Sequence, residues 1–174
     1  TLFSLTTSQV IANLTNPVGG KIIHFSFSGD GTYLLALSDS TDHKVIMWNV
    51  TTHQVLFCQD LPSTCEKCLM HPADNLSFLL YGSESILYCT ILEILGSYDI
   101  KIHPIMIKME SKPSSTTTMS STSSTNNTSG DDSECYQGIT CATWSPPSNI
   151  IVGTSNGSIF VIEPVSKYTK KLFS

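Results

Sequence analysis

The sequence predicts an all-β chain built as an array of small four-stranded antiparallel sheets. Three observations carry that reading. A short alternating run that ends in a bulky apolar residue and a polar turn occurs three times, at Lys21–Gly31, Cys65–Asn75 and Ile139–Asn149. Each is followed by a second alternating run. The interval from Phe27 to Met70, the residues closing the first two runs, falls within the roughly 40 to 45 residues of one four-stranded blade.

The interval from Met70 to Trp144 is longer, and the excess coincides with the Ser/Thr-rich tract Ser111–Ser133. One insertion therefore accounts for the one irregularity. In the first unit, period-two alternation and turn residues assign strands to Lys21–Phe27, Thr32–Ser38, Lys44–Val50 and Gln54–Gln59, with Ser28–Gly31 as the first turn. Phe25 and Phe27 share a face because successive strand side chains point to opposite sides. The second unit offers Cys65–Met70, Leu76–Tyr81, Ile86–Leu92 and Ile100–Lys108; the third offers Gly138–Trp144, Asn149–Thr154, Ser158–Glu163 and Thr169–Phe173. Asn156-Gly157 is the strongest turn signal and predicts a two-residue hairpin with positive φ at both positions. Thr1–Leu5 and Val10–Leu14 read as the last two strands of an earlier blade whose front half is absent. The expected organisation is the end of one blade over 1–15, blades over 21–60, 64–108 and 138–174, and a disordered insertion over 109–136.

About three and a half blades in 174 residues fall short of the roughly six to eight that usually close a propeller ring. An arc leaves open edges and apolar faces that want neighbours. With Thr as its first residue, the chain reads as a piece of a larger protein. Its net charge of −5 and 13% charged residues exclude a basic arm or acidic tail, and all nine positive residues are Lys. Without an Arg fork to read guanine edges or clamp phosphates, nucleic acid is not an expected partner. No apolar run approaches the length that spans a bilayer, and no membrane partner is expected. Asn-x-Ser/Thr triplets at Asn13, Asn49, Asn75, Asn126, Asn127 and Asn156 are the chance product of a composition rich in these residues.

Among the six cysteines, Cys65-Glu-Lys-Cys68 with His71, and Cys58 as a fourth, is the one cluster with metal-like spacing. The strand reading opposes it: Cys68 takes the place of Phe25 on the core side, Cys65 falls on the opposite face, and His71 takes the turn position of Ser28. Buried free thiols are the expectation, with no metal or cofactor. His24, His43, His53, His71 and His103 occupy different local contexts and form no catalytic set with Ser, Cys or Asp at a fixed spacing. Asp42-His43 is expected to hold the loop before the third strand by hydrogen bonds to backbone. Val18-Gly-Gly20 precedes a strand, not a helix, so it is no phosphate loop. Phe27, Met70, Trp144 and Trp48 are expected in the core between sheets. Ser111–Ser133 lacks an apolar face and cannot repay its ordering entropy; its dense hydroxyl residues are open to phosphorylation.

The run Phe27-Ser-Gly-Asp-Gly-Thr-Tyr-Leu-Leu-Ala-Leu, followed by Asp42-His-Lys-Val-Ile-Met-Trp-Asn49, resembles the WD-repeat pattern, with Trp48-Asn49 where that family has Trp-Asp. The resemblance weakens in the later units, which have Thr90-Ile91 and Val161-Ile162 there, and the family's Gly-His before the first strand is missing. Together with Ile150–Ile162, the features look most like the cilia- and flagella-associated WD-repeat proteins, particularly protein 57 and its relatives 43 and 44. That resemblance implies a β-propeller and a non-enzymatic, cytoplasmic scaffold of the cilium or flagellum axoneme. Its implied partners are dynein-regulatory components or tubulin of the doublet microtubules, and it assigns no catalytic, cofactor or metal residue. The other readings are a substrate adaptor for a ubiquitin ligase or trafficking coat, and a propeller hydrolase. The last needs carboxylates or a metal at the channel mouth, where this chain has few acidic residues.

Overall fold

Fourteen strands and no helix make up the regular structure of the described residues, 1–107, 138–166 and 168–173, in a computed structural model of the chain. β1 (Leu2–Ser4) and β2 (Gln9–Ala12) form a two-stranded sheet. Three four-stranded antiparallel meanders follow. Blade 1 is β3 (Ile22–Phe27), β4 (Tyr33–Ser38), β5 (Lys44–Asn49) and β6 (Gln54–Asp60). Blade 2 is β7 (Lys67–Met70), β8 (Ser77–Tyr81), β9 (Ile86–Ile94) and β10 (Ser97–Pro104). Blade 3 is β11 (Ile139–Ser145), β12 (Asn149–Thr154), β13 (Ile159–Glu163) and β14 (Tyr168–Phe173). The three expected blades are all present, and the strand order equals the sequence order in each. The tract 109–136, and the disorder expected of it, lie outside the described residues.

The central strands are buried on both faces: β4 and β8 are almost wholly enclosed along their lengths. This follows from stacking, in which each blade gives one face to each neighbour. Leu35, Leu37, Val45, Met47 and Phe57 of blade 1 form one core with Cys68, Met70, Phe78, Leu80 and Cys89 of blade 2. The other face of blade 2, with Leu79, Tyr81 and Ile86, packs on Ala142, Ile150, Val152 and Ile162 of blade 3. Leu34, Ala36, Ile46 and Trp48 turn the other way and meet Leu2, Leu14 and Val18. β7 lies against β3 and β4, whereas β6 and β10 meet sparingly, so at the junction of blades 1 and 2 the first strands are the inner ones and the blades splay outward.

The repeat register is confirmed by pairing. Phe27 opposes Leu34, Met70 opposes Phe78 and Trp144 opposes Ile150. The turn equivalence of Ser28 and His71 also holds: both are 4% exposed, and their backbone N–H groups donate to Tyr33 O and Ser77 O respectively.

Three expectations need correction. Phe27 is not core: it is 45% exposed and Phe25 is 62% exposed, because β1 and β2 cover only the outer part of that face. Met70 and Trp48 are buried as expected, and Trp144 packs half-buried on the second core. Second, only Gly157 of the Asn156-Gly157 pair has positive φ, at 84°. Gly157 N donates to Thr154 O and Thr154 N donates to Ser158 O, a tight turn closed by a left-handed glycine. The Asn156 side chain accepts from Ser158 N and Thr154 Oγ1, which fixes that choice. Third, the last strand of blade 2 begins at Ser97 and ends at Pro104, so the β9–β10 hairpin projects past β8 and turns at Leu95 (φ 53°) and Gly96 (φ 82°).

Blades 1 and 2 meet backbone to backbone at Gly29, where a Cβ would collide with the carbonyl oxygen of Pro72. Neither atom belongs to a side chain that can move aside. Gly29→Ala is therefore expected to lower unfolding stability by about 1–3 kcal/mol, as overpacking does. Gly19→Ala, with open space around it, should be nearly neutral. Urea denaturation of the two variants measures the difference.

Candidate functional site

Alternation of strand direction sorts the loops into two ends. One carries the β3–β4, β7–β8 and β11–β12 turns and the β5–β6, β9–β10 and β13–β14 hairpins; the other carries the remaining loops and the inter-blade crossovers. The expected loop-bracing role of Asp42 is found at the crossover end. Its carboxylate accepts from Gly20 N at 2.5 Å, and His43 N donates to Asp39 O. Crossovers are tied there as well: Ile139 N donates to Ser83 O, and Ser85 Oγ donates to Thr64 O.

At the turn end, side chains join one blade to the next. Asp30 accepts from Ser28 Oγ, Thr32 N and Thr32 Oγ1 within its own turn and from Asn75 Nδ2 of blade 2 at 2.7 Å. These donors, Ser28 first, hold its carboxyl well below the usual range, so it stays ionised. His71 accepts from Ala73 N and Asp74 N at Nδ1, which leaves Nε2 to donate to Ser148 Oγ of blade 3 at 3.2 Å. The Trp144 ring stands edge-on to it, centroids 4.5 Å apart. The sequence placed His71 in a turn; its role as a blade-to-blade bridge depends on Ser148, distant in the chain and marked by no spacing.

The metal-like cluster comes apart in three dimensions. Cys65 lies in the segment before β7, near the crossover end, whereas His71 follows β7 at the turn end. Cys58 packs against the opposite face of blade 1. Among the described residues no three His, Cys, Asp or Glu side chains gather as a cation site. One detail departs from expectation: Cys65 precedes the strand, so alternation does not govern it, and it borders the same core as Cys68. Cys68 approaches His24 Nδ1 at 3.5 Å. This is no thiolate–imidazolium pair, because burial, with Cys65 adding, pushes the Cys68 thiol up to about 12. Burial likewise raises Cys89, and burial first, then the Lys67 charge, lowers His24. His43 and His53 adopt left-handed backbone in their turns, and His103 stacks on Tyr88.

What the turn end presents outward is apolar and acidic. Leu76 in the β7–β8 turn is 52% exposed, Leu95 at the hairpin tip is fully exposed, and Val165 in the β13–β14 turn is 81% exposed. Leu92 and Ile94 extend the apolar tip. Beside them stand the exposed carboxylates Asp30, Asp74, Glu93 and Glu163. The hairpin is braced: Asp99 Oδ1 accepts from Gln59 Nε2 of blade 1, and its carboxyl is lowered by that bond first. A partner with an apolar surface bordered by cations fits this end.

Inner strands packed on inner strands, splayed outer edges and meanders in sequence order define a β-propeller arc. Among the solved structures it is similar to is the Myceliophteria thermophila Cps50 (Swd1) beta-propeller domain, with a TM-score of 0.66 and 17% identity over 99% of this chain and 48% of that one. The chain thus spans about half the length of that propeller. No family model and no curated protein matches the sequence.

Two outcomes follow from the site's chemistry. Among the cysteines of the described residues, native alkylation should modify the exposed Cys141 first, and Cys68 and Cys89 only on unfolding, as peptide mass spectrometry will show. Because the fold depresses His24 below its usual 6.5, the unfolded chain takes up the proton first. Stability therefore falls as pH drops below about 6.5 toward the folded value. His24→Gln should flatten that part of the pH profile in thermal melts.

Proposed function

We propose that the chain is part of a non-catalytic scaffold that holds partner proteins on the turn end of its blades. The observation that carries this reading is the exposed set Leu76, Leu95 and Val165, spread over blades 2 and 3, interspersed with carboxylates on turns cross-linked by Asp30–Asn75 and His71–Ser148. A surface held rigid before encounter loses little entropy on binding, and its charge steers a basic partner toward it. Several partners can engage separate blades at once.

The finer reading is axonemal. It places the protein in the cytoplasm of cilia or flagella, docking dynein arms or their regulatory complexes on doublet microtubules. It is supported by the resemblance of Phe27–Asn49 and Ile150–Ile162 to the ciliary WD-repeat proteins.

Glu93→Lys combined with Leu95→Asp, both at an exposed tip, should leave the melting temperature unchanged. It should cut recovery of partners co-isolated with the tagged protein by about tenfold or more, the size of one interface hot spot. Undiminished recovery would exclude the turn end. In ciliated cells the tagged protein should remain with detergent-extracted axonemes; complete release with the soluble fraction would remove the axonemal reading and leave the scaffold.

A further inference from the structure

In blades 1 and 3 the second and third strands end together at the turn end: Tyr33 pairs with Asn49, the last residue of β5, and Ile150 pairs with Ile162, next to the last residue of β13. Blade 2 departs from this. The bond from Ile91 N to Leu76 O, at 2.7 Å, closes the contact of β9 with the β8 side, and β9 then runs on through Leu92, Glu93 and Ile94 with no strand on that side among the described residues. In antiparallel pairing, successive residues turn their backbone groups to one neighbouring strand and then the other. Ile91 faces the β8 side, and Ile86 O accepts from Ile105 N on the β10 side. The N–H and C=O of Glu93 therefore point, like those of Ile91, into the open track beyond β8.

Side chains alternate along the same strand. Cys89 and Ile91 enter the core shared with blade 1, and Ile86 enters the core shared with blade 3. Glu93 falls on the first face, and Leu92 and Ile94, 40% and 56% exposed, fall on the second. The open edge thus carries a carboxylate on one face and aliphatic side chains on the other. A second carboxylate stands at its foot, where Asp74 accepts from Leu76 N and Ser77 Oγ. No lysine lies in the described turns of this end. At the tip, Leu95 holds φ 53° with its side chain wholly exposed, a backbone form and a setting that both disfavour leucine. Other edge N–H groups are met by side chains: Cys68 N donates to His24 Nδ1, Met70 N to Ser26 Oγ and Ile100 N to Asp99 Oδ1. Among the described residues the Glu93 N–H has no such cover.

Resting on the reading of the turn end as the binding surface, we propose that it takes its partner as an added β-strand. An extended segment of another protein lies along Leu92–Ile94, antiparallel to β9, in the direction β8 itself follows. The partner residue opposite Glu93 exchanges both backbone bonds with it and places its side chain on the Glu93 face, while the residues on either side of it fall on the face of Leu92 and Ile94. The segment recognised is therefore a lysine or arginine between two aliphatic or β-branched residues. Glu93 and Asp74 draw the cation in, the main-chain bonds supply affinity, and the alternation of side chains selects the sequence. A partner helix, whose backbone groups are already bonded to one another, gains nothing from the free N–H and C=O of Glu93.

The probe is the acetylated and amidated peptide Ser-Val-Lys-Val-Ser, added up to about 1 mM to the isotope-labelled 174-residue chain while its amide shifts are followed by NMR. Saturable shifts should centre on Glu93 and its neighbours. Methylating the lysine backbone nitrogen of the peptide, which keeps every side chain, should weaken binding about tenfold or more, the size of one lost hydrogen bond. The reordered peptide Ser-Val-Val-Lys-Ser should bind as poorly. Glu93→Pro removes a donor that no ladder uses, so it should abolish the shifts at an unchanged melting temperature; Glu93→Gln keeps the donor and should bind lysine and glutamine versions of the peptide alike. Absence of saturable shifts, shifts centred away from the hairpin, or a methylated peptide that binds as tightly as its parent overturns the proposal. The peptide comparison uses the wild-type chain and decides alone if the proline variant fails to fold. If Glu93→Lys with Leu95→Asp removes co-isolated partners while Glu93→Pro retains them, the turn end still holds proteins and strand addition is wrong.

Discussion

Face-to-face packing of apolar sheets is the constraint on which this structure rests. Each four-stranded meander has two apolar faces, and neither can be buried within the meander itself. Leu35 and Leu37 need blade 2 as much as Leu34 and Ala36 need the segment before blade 1. A full burial of one such side chain stabilises by about 1.5–3 kcal/mol, so the junctions between blades, rather than the hydrogen-bond ladders within them, decide whether the array holds. The polar links at the turn end add alignment. Asp30–Asn75 and His71–Ser148 fix how neighbouring turns sit, which is what a binding surface requires.

Much of the fold is legible in the sequence because strand alternation and turn chemistry are local. The three blades and the equivalence of Phe27, Met70 and Trp144 in pairing register follow from short-range pattern alone. The environment of those positions does not. Met70 is enclosed and Phe27 is open, although both end the first strand of a blade with an apolar side chain. The difference lies in what stands in front of each blade, which no local pattern encodes. The hairpin at Asn156-Gly157 shows a smaller version: the dipeptide signals the turn, but the Asn156 side chain, bonded to Thr154 and Ser158, selects its backbone form.

The candidate surface was less legible than the fold. His71 reads as a turn residue until Ser148 and Trp144 are brought to it by stacking. Leu92, Ile94 and Leu95 read as an ordinary strand end until pairing stops at Ser77–Thr90 and leaves the hairpin projecting. The cysteine cluster shows the reverse. Its spacing suggests a cation site, and three-dimensional placement sends Cys65 and His71 toward opposite ends of one strand. Close spacing in sequence means little when the intervening residues are extended.

Gly29 and the Pro72 carbonyl also bear on curvature. Where two sheets are separated by side chains, their spacing can drift as those side chains enlarge or shrink over many generations. Here backbone meets backbone, with nothing between that substitution could resize. At this turn the approach of the two blades is therefore limited by chain geometry, while the side chains of their shared core set the spacing along the strands.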